Sequence, residues 1–227
     1  MFLFTVVCGP MQANCHVLAR DDGRECLIID PGMGAAPDVT QIVTDHDLTP
    51  VAVLATHGHV DHIADAAPVA DHYAIPVWIR SEDRHLLSDP YAGLPPELGM
   101  LVKTVLRRDL TEPSRVCLLD HYAALDLAEF AVTITPSPGH TPGSVMFAVE
   151  TDAAEPIIFT GDTLFAGSIG RTDLPGGDLA TMTRTLRGPV WDLPDRARLL
   201  PGHGPASTMA VERASNPYLR AALTTQP

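Results

Sequence analysis

No stretch of the sequence approaches the ~18–20 consecutive apolar residues that a membrane-spanning helix needs, so no membrane span is expected. The opening run Met1–Val7 is apolar but short, with no basic segment before it and no Ala-x-Ala pattern after it. It reads as a strand rather than a secretory signal, and the expected compartment is the cytoplasm. Cysteine is scarce: Cys8, Cys15, Cys26 and Cys117 form no C-x-x-C pair, and three of them fall in early strand-like stretches. Buried free thiols in a reducing compartment fit that pattern. Basic blocks are also missing, with 15 Lys and Arg against 28 Asp and Glu and a formal net charge of −13. A field of that sign repels nucleic acid and anionic membrane. A small molecule is the expected partner, and the oligomeric state is not legible. No internal repeat or low-complexity segment stands out.

What is present suits one globular α/β domain spanning residues 1–227, with 45% hydrophobic and 19% charged residues. Phe2–Val7, Val17–Ala19 and Cys26–Ile29 read as short strands, with a turn at Asp22-Gly23. Val39–His46 reads as a helix and Val51–Ala55 as the next strand. Ile63, Ala66, Ala67, Ala70 and Tyr73 recur at helical spacing, with Pro68 an irregularity near the middle. Val77–Ile79 is a strand, and Ser81 with Glu82 and Asp83 marks a helix start. Residues 88–114, rich in Pro and Gly, are expected to form a loop-rich insertion at a rim. Phe130–Thr135, Val145–Val149, Ile157–Thr160 and Arg198–Leu200 are further strands, and Leu179–Leu186 is a helix. Strands before and between helices predict sheets packed between helical layers.

Four segments share one design: an apolar strand runs into a tight Gly-containing loop that carries metal-competent side chains. Val51–Ala55 runs into Thr56-His57-Gly58-His59-Val60-Asp61-His62; Phe130–Thr135 leads to Gly139-His140. Ile157–Thr160 leads to Gly161-Asp162, and Arg198–Leu200 to Gly202-His203. Loops at strand ends on a rigid scaffold are where sites are normally built, and glycine lets the backbone turn sharply there. Together they offer His57, His59, Asp61, His62, His140, Asp162 and His203. No cysteine falls in these loops, which disfavours a thiolate-rich zinc site. Imidazole with carboxylate suits Zn, Fe or Mn with positions left open for water. Seven ligands exceed the four of one tetrahedral ion, and a bridging carboxylate would divide them into two sets of four.

The H-x-H-x-D-H hexad followed by G-H-T-P-G, T-G-D and P-G-H resembles the metallo-β-lactamase superfamily. Thr160-Gly161-Asp162-Thr163-Leu164-Phe165 with Gly170-Arg171-Thr172-Asp173 is similar to its glyoxalase II-like hydrolases. The likeness runs from Asn14 to Asn216-Pro217, nearly the whole chain. It implies a four-layer αβ/βα sandwich with the site at one edge of two facing sheets. It also implies two divalent metal ions, zinc best suited, one on His57, His59, His140 and Asp162. The other would take Asp61, His62, His203 and the shared Asp162. The implied activity is thioester hydrolysis, S-2-hydroxyacyl thiol to 2-hydroxy acid and thiol, with Asp61 and Asp162 as the catalytic carboxylates. Only 24 residues follow His203, so no separate C-terminal substrate domain is expected. A mononuclear iron persulfide dioxygenase, using His57, His140 and Asp162, and a lactonase are the rival readings.

Weaker signals surround this set. Asp30 in Asp-Pro-Gly suits either a hydrogen bond to a ligand His or a turn cap. Arg171 with Asp173 suits a buried ion pair bracing the loop, or Arg171 suits a substrate carboxylate. Ser168 and Thr172 are candidate hydroxyl donors to substrate, and Tyr91 a candidate cover. Arg213, Asn216 and Tyr218 fit caps or surface contacts. His16, His46, His72, His85 and His121 stand alone and read as ordinary core or surface residues.

Overall fold

The computed structural model describes residues 1–120, 123–151 and 155–224; His121 lies outside them. The strands of the first half are β1 (Phe2–Cys8), β2 (Ala13–Ala19), β3 (Glu25–Ile29), β4 (Thr49–Leu54), β5 (Val77–Ile79) and β6 (Val116–Leu118). They lie side by side in that order as one sheet. The second half supplies β7 (Ala124–Leu127), β8 (Phe130–Pro136), β9 (Val145–Val149), β10 (Ile157–Gly161), β11 (Arg198–Pro201) and β12 (Ser207–Thr208), again in sequence order as a sheet. Hairpins make β1–β3 and β7–β10 antiparallel. Crossovers make β3–β6 and the β10–β11 pair parallel.

Side chains alternate across each strand, and in central strands such as β2, β3 and β10 both faces are buried. In β3, Leu27 and Ile29 face the opposite sheet and pack with Leu54, Phe147 and Phe159. Cys26 and Ile28 face the other way, against Val39, Val43 and Val69 of helices α1 (Ala35–Asp45) and α3 (Ala66–Tyr73). The second sheet repeats the pattern. Met146, Ile158 and Leu199 pack under Met182, Leu186 and Leu219, carried by or adjoining α5 (Leu179–Thr185) and α7 (Pro217–Thr224). The result is the expected four-layer sandwich, helix–sheet–sheet–helix. Fully burying a side chain such as Phe147 or Phe159 contributes roughly 1.5–3 kcal/mol each. No described helix is long and apolar enough to cross a membrane.

The helix expected over Ile63–Tyr73 is two helices, α2 (Val60–Ile63) and α3. They break at Asp65, whose N–H bonds the Pro31 carbonyl at 2.9 Å instead of continuing a helical ladder. Pro68 is no irregularity, because it lies in the first turn of α3, where a missing N–H costs nothing. The span 88–114 is not loop-rich throughout. Its middle is the eleven-residue helix α4 (Pro96–Leu106). The prolines that read as breakers start it, with Pro96 pre-set for the first helical position. Leu98, Val102 and Leu106, four apart, pack against Met33, Val60, Ala64 and Leu94. Strands β6, β7 and β12, helix α6 (Met209–Ser215) and helix α7 are short, and their patterns escape a periodicity reading. Of the cysteines, Cys8, Cys15 and Cys26 are buried free thiols and Cys117 is half-buried. His16 is a core residue held by Thr5 Oγ1 at 3.0 Å, its pKa pushed down to about 4 mainly by burial.

Gly99 sits inside α4, where an added Cβ meets only Tyr91 at ordinary contact distances of 3.6 and 3.8 Å. Gly99→Ala is therefore expected to stabilise the protein by roughly 0.5–1 kcal/mol. Calorimetry should show a rise in Tm of about 1–4 °C; an unchanged or lower Tm would contradict the helix assignment.

Candidate metal centre

Every ligand loop leaves the carboxyl end of a strand: β4 for His57, His59, Asp61 and His62, β8 for His140, β10 for Asp162 and β11 for His203. Because the two sheets face each other, these ends converge on one edge. Backbone bonds stitch that edge together, Val145 N to Thr56 O at 2.8 Å and Asn14 N to Gly202 O at 2.7 Å. The Asn14 amide adds bonds of 2.9 Å to the Pro201 and Gly204 carbonyls, clasping the loop that presents His203. Two loops require glycine. Gly161 has a left-handed φ of 47° and a Cβ there would lie 2.5 Å from Thr56 Oγ1. A Cβ on Gly202 would overlap Asp162 Oδ1 and come within 2.7 Å of His62 Cε1.

All seven expected ligands meet. His57, His59 and His140 form one group and Asp61, His62 and His203 another, each with ligand atoms within 4.8 Å of one another. Asp162 stands between them, 3.4 Å from His140 Nε2, 3.3 Å from His62 Nε2 and 3.5 Å from His203 Nε2. His203 Nε2 lies 3.2 Å from Asp61 Oδ2 and 3.3 Å from His62 Nε2. A tetrahedral ion with bonds of about 2.0–2.1 Å has donor–donor edges of about 3.3–3.4 Å, and these separations match. Two buried atoms of the cluster, His57 Nε2 and Asp162 Oδ1, have no hydrogen-bond partner, and His59 turns its Nδ1 to the cluster, 2.7 Å from His140 Nε2. Orphaned buried polar atoms are costly, and lone pairs aimed into one cluster of nitrogen and oxygen donors fit divalent cations.

The neighbours of the ligands set their tautomers. Asp30, in a left-handed conformation with φ of 50°, accepts from Thr56 N at 2.7 Å and Thr56 Oγ1 at 2.6 Å. With its only proton on Asp30, Thr56 Oγ1 must accept from His57 Nδ1 at 3.0 Å, which leaves His57 Nε2 bare. Asp30 Oδ2 also accepts from His62 Nδ1 at 3.0 Å, and the Arg171 carbonyl accepts from His140 Nδ1 at 2.7 Å. Both rings therefore use Nδ1 as the outward donor and turn Nε2 towards the cluster. Asp30 is thus a partner of ligands and not a turn cap.

Electrostatics points the same way. Burial, helped by the surrounding imidazoles, pushes His57 well below the ordinary histidine range. Burial and His140 push His59 down to about 3, so both are neutral bases. Burial alone would raise Asp162, but His62, His140 and His203 overcome it and hold the carboxyl below its usual range. Burial opposes a charge on His62, yet Asp162 and Asp61 raise it well above the ordinary value. Carboxylates that draw a proton to His62 draw a divalent cation to the same place.

Asp83 is the residue that sequence reasoning missed. Fully buried, it accepts from Gly58 N at 2.8 Å and Thr141 Oγ1 at 2.6 Å through one oxygen, and from Gly143 N at 2.8 Å through the other. One carboxylate therefore ties the hexad loop to the His140 loop. The Ser-Glu-Asp start of a 3₁₀ turn, Ser81–Leu87, carried no sign of it. Asn216 was also underread, since its amide bonds the Phe165 and Ser168 carbonyls at 3.3 and 3.0 Å while its Oδ1 caps α7. Arg213 pairs with Asp195 and lies over the Trp191 ring at 5.0 Å, a surface contact as expected.

The cluster opens into a cleft of about 360 Å³ whose apolar wall is Met11, Leu94, Leu98, Phe165, Ile169 and Leu174. Arg171 lines it too. The Arg171–Asp173 pair is bidentate, with both bonds 2.7 Å long, but it is exposed rather than buried, the side chains 57% and 68% accessible. A pair so open to solvent braces little. Ser168 and Thr172 do not line the cleft. Ser168 closes a tight turn with Phe165 instead. Tyr91 packs with Leu94 and Leu98 and does not cover the opening.

A family model described as the metallo-beta-lactamase superfamily matches residues 8–203. An uncharacterized protein of Mycobacterium tuberculosis is 42% identical over 214 residues, 93% of this chain and 94% of that protein. The hydroxyacylglutathione hydrolase GloC of Haemophilus influenzae is 34% identical over 208 residues, 92% and 93% of the two chains. Among solved structures, the BLEG-1 B3 metallo-beta-lactamase superposes with a TM-score of 0.81 at 34% identity, covering 96% of this chain and 99% of that one. TTHA1623, solved in a di-iron-bound form, gives 0.75 at 32% identity, covering 95% and 99%.

Asp83→Asn and Asp30→Asn should act differently on the two donor groups. Asp83→Asn is expected to weaken metal binding at His57, His59 and His140 alone, and Asp30→Asn at both groups, because Asp30 meets His62 directly and His57 through Thr56, each by about 10–100-fold. Stepwise metal titration with circular dichroism as a folding control checks this. Equal loss at both groups in both variants would contradict the separate roles.

Proposed function

The chain belongs to the metallo-beta-lactamase superfamily, and we propose that it is a binuclear metal-dependent hydrolase of thioesters, glyoxalase II-like, turning an S-2-hydroxyacyl thiol into a 2-hydroxy acid and a thiol. The observation that carries this reading is the meeting of two complete donor groups on the one Asp162 carboxylate. His57, His59, His140 and Asp162 would hold one ion and Asp61, His62, His203 and Asp162 the other, zinc being best suited and iron or manganese alternatives. Bound there, the pair of cations would supply the nucleophile, by acidifying water towards a pKa of ~7, and the Lewis acid that polarises a carbonyl.

The protein's own part is positioning. The ring tautomers set by Asp30, Thr56 and the Arg171 carbonyl keep Nε2 atoms on the cluster. Asp61, the more accessible of the two carboxylates, borders the cleft and can orient the attacking water. The apolar wall strips solvent from the scissile bond, which strengthens each electrostatic interaction inside. A thioester needs little else: a leaving thiol with a pKa near ~8.5 departs as thiolate without a strong general acid. The likeness to GloC supports this substrate class. A mononuclear iron dioxygenase would leave Asp61, His62 and His203 without a task, and the closeness of that second group speaks for hydrolysis. A lactonase would use the same donors, so substrate choice separates it.

The test is a panel of S-D-lactoyl and related thioesters, matching amides and lactones, assayed beside elemental analysis. Two metal ions per chain and thioester turnover far faster than amide or lactone turnover are expected. One iron per chain with oxygen uptake would overturn the proposal. Asp162→Ala should lose both metals and nearly all activity; two ions retained per chain would refute the bridging role.

Arg171→Ala should raise KM for thioesters with an anionic thiol moiety several-fold and leave Tm nearly unchanged, since its ion pair lies in solvent. An unchanged KM with a lower Tm would assign Arg171 to the loop rather than to the substrate.

A further inference from the structure

Met11 and Leu98 line both the cleft and a second trough of about 230 Å³ that runs between Pro10 and α4. Every side chain lining this trough is Pro, Met, Leu or Val. On its α4 side Leu101 and Val105 are 59% and 50% exposed. Large apolar side chains left in water beside a site commonly mark a binding surface.

We propose that this trough holds the acyl chain of the substrate, so that the enzyme acts on thioesters whose acyl group carries an extended, uncharged alkyl chain. The inference rests on the thioester hydrolase reading and names the substrate class within it. Three observations select this occupant. The trough adjoins the cleft, with Met11 and Leu98 as their common wall, so a chain bonded to the reacting carbonyl reaches it past those two side chains. No charged or hydrogen-bonding side chain lines it, and a carrier bearing carboxylates or amines would lose their hydration there without replacement. Arg171, in the cleft and not in the trough, leaves a place elsewhere for an anionic thiol. The volume equals that of about eight waters at ~30 Å³ each, the bulk of a short alkyl chain and far less than a docking protein element would fill.

The experiment uses thioesters of one neutral thiol carrying acetyl, butanoyl, hexanoyl and octanoyl groups. kcat/KM is expected to rise about two- to fourfold per methylene until the trough is full, the gain falling in KM. Leu101→Glu and Val105→Glu, exposed helix positions where glutamate is well tolerated, should lower the octanoyl-to-acetyl ratio at least tenfold. The matching methyl ketones, which cannot be hydrolysed, report the same occupancy by thermal shift. A flat chain-length series in both assays overturns the proposal, and so does a slope that survives in both variants. A slope seen only when the chain is moved to the thiol side overturns the acyl assignment. A concentration-dependent dimer that both variants abolish, with no chain-length effect, assigns the patch to a second copy and overturns it too. Ketone binding that grows with chain length and is lost in the variants, in a protein that hydrolyses no thioester, upholds the trough and sinks the hydrolase reading alone.

Discussion

Two carboxylates, Asp61 and Asp162, are held among five imidazoles at the edge of a dry sandwich, and the rest of the structure answers to that concentration of charge. Taking a carboxylate out of water costs several kcal/mol unless a countercharge meets it. Here the nearest positive charge comes from His62 and His203, both drawn up by the acids against their own burial. A cluster that pulls protons onto its histidines is a cluster short of cations. The unpartnered His57 Nε2 and Asp162 Oδ1 express the same shortage in hydrogen-bond terms.

A second tier of acids keeps the first in place. Asp30 and Asp83 are as buried as the ligands, and neither is a member of the seven. Asp30 spends its lone pairs on Thr56 and His62; Asp83 spends its own on Gly58, Thr141 and Gly143. These bonds fix which ring nitrogen carries the proton and how far apart two ligand loops stand. Rigid support of this kind is what lets a site hold a productive geometry without reorganising.

The walls of the cleft complete the chemical picture. The donor edge is polar and saturated with charge, whereas Met11, Leu94, Leu98, Phe165, Ile169 and Leu174 face it with hydrocarbon. Arg171 lies at the rim, already paired with Asp173 in open solvent. In the hydrolase proposed above, such a cleft would select substrates by desolvation more than by charge. A net charge of −13 adds a long-range bias against multiply anionic ligands. In the proposed hydrolase, reaction type and substrate preference would thus arise from different parts of the molecule: the first from strand ends, the second from the α4 region and the β10 loop.

That division also separates what could be read early from what could not. The seven cluster residues were legible because their loops follow apolar strands, and a hexad such as His57-Gly58-His59-Val60-Asp61-His62 has few uses other than collecting positive charge. Sheets between helical layers followed from strands that lie before and between helices, and the four-layer order from the family resemblance. Tertiary structure alone decided the rest. Asp83 meets Gly58, 25 positions away, and Gly143, 60 positions away, contacts that no local pattern encodes. Arg171 and Asp173 are two residues apart whether buried or exposed, so only packing could place them in solvent. Helix α4 was hidden because proline has the same appearance at a break and at a first turn. The identity of the donors is a local property of composition and spacing; their tautomers, their separations and the shape of the cleft depend on which distant segments the two sheets bring face to face.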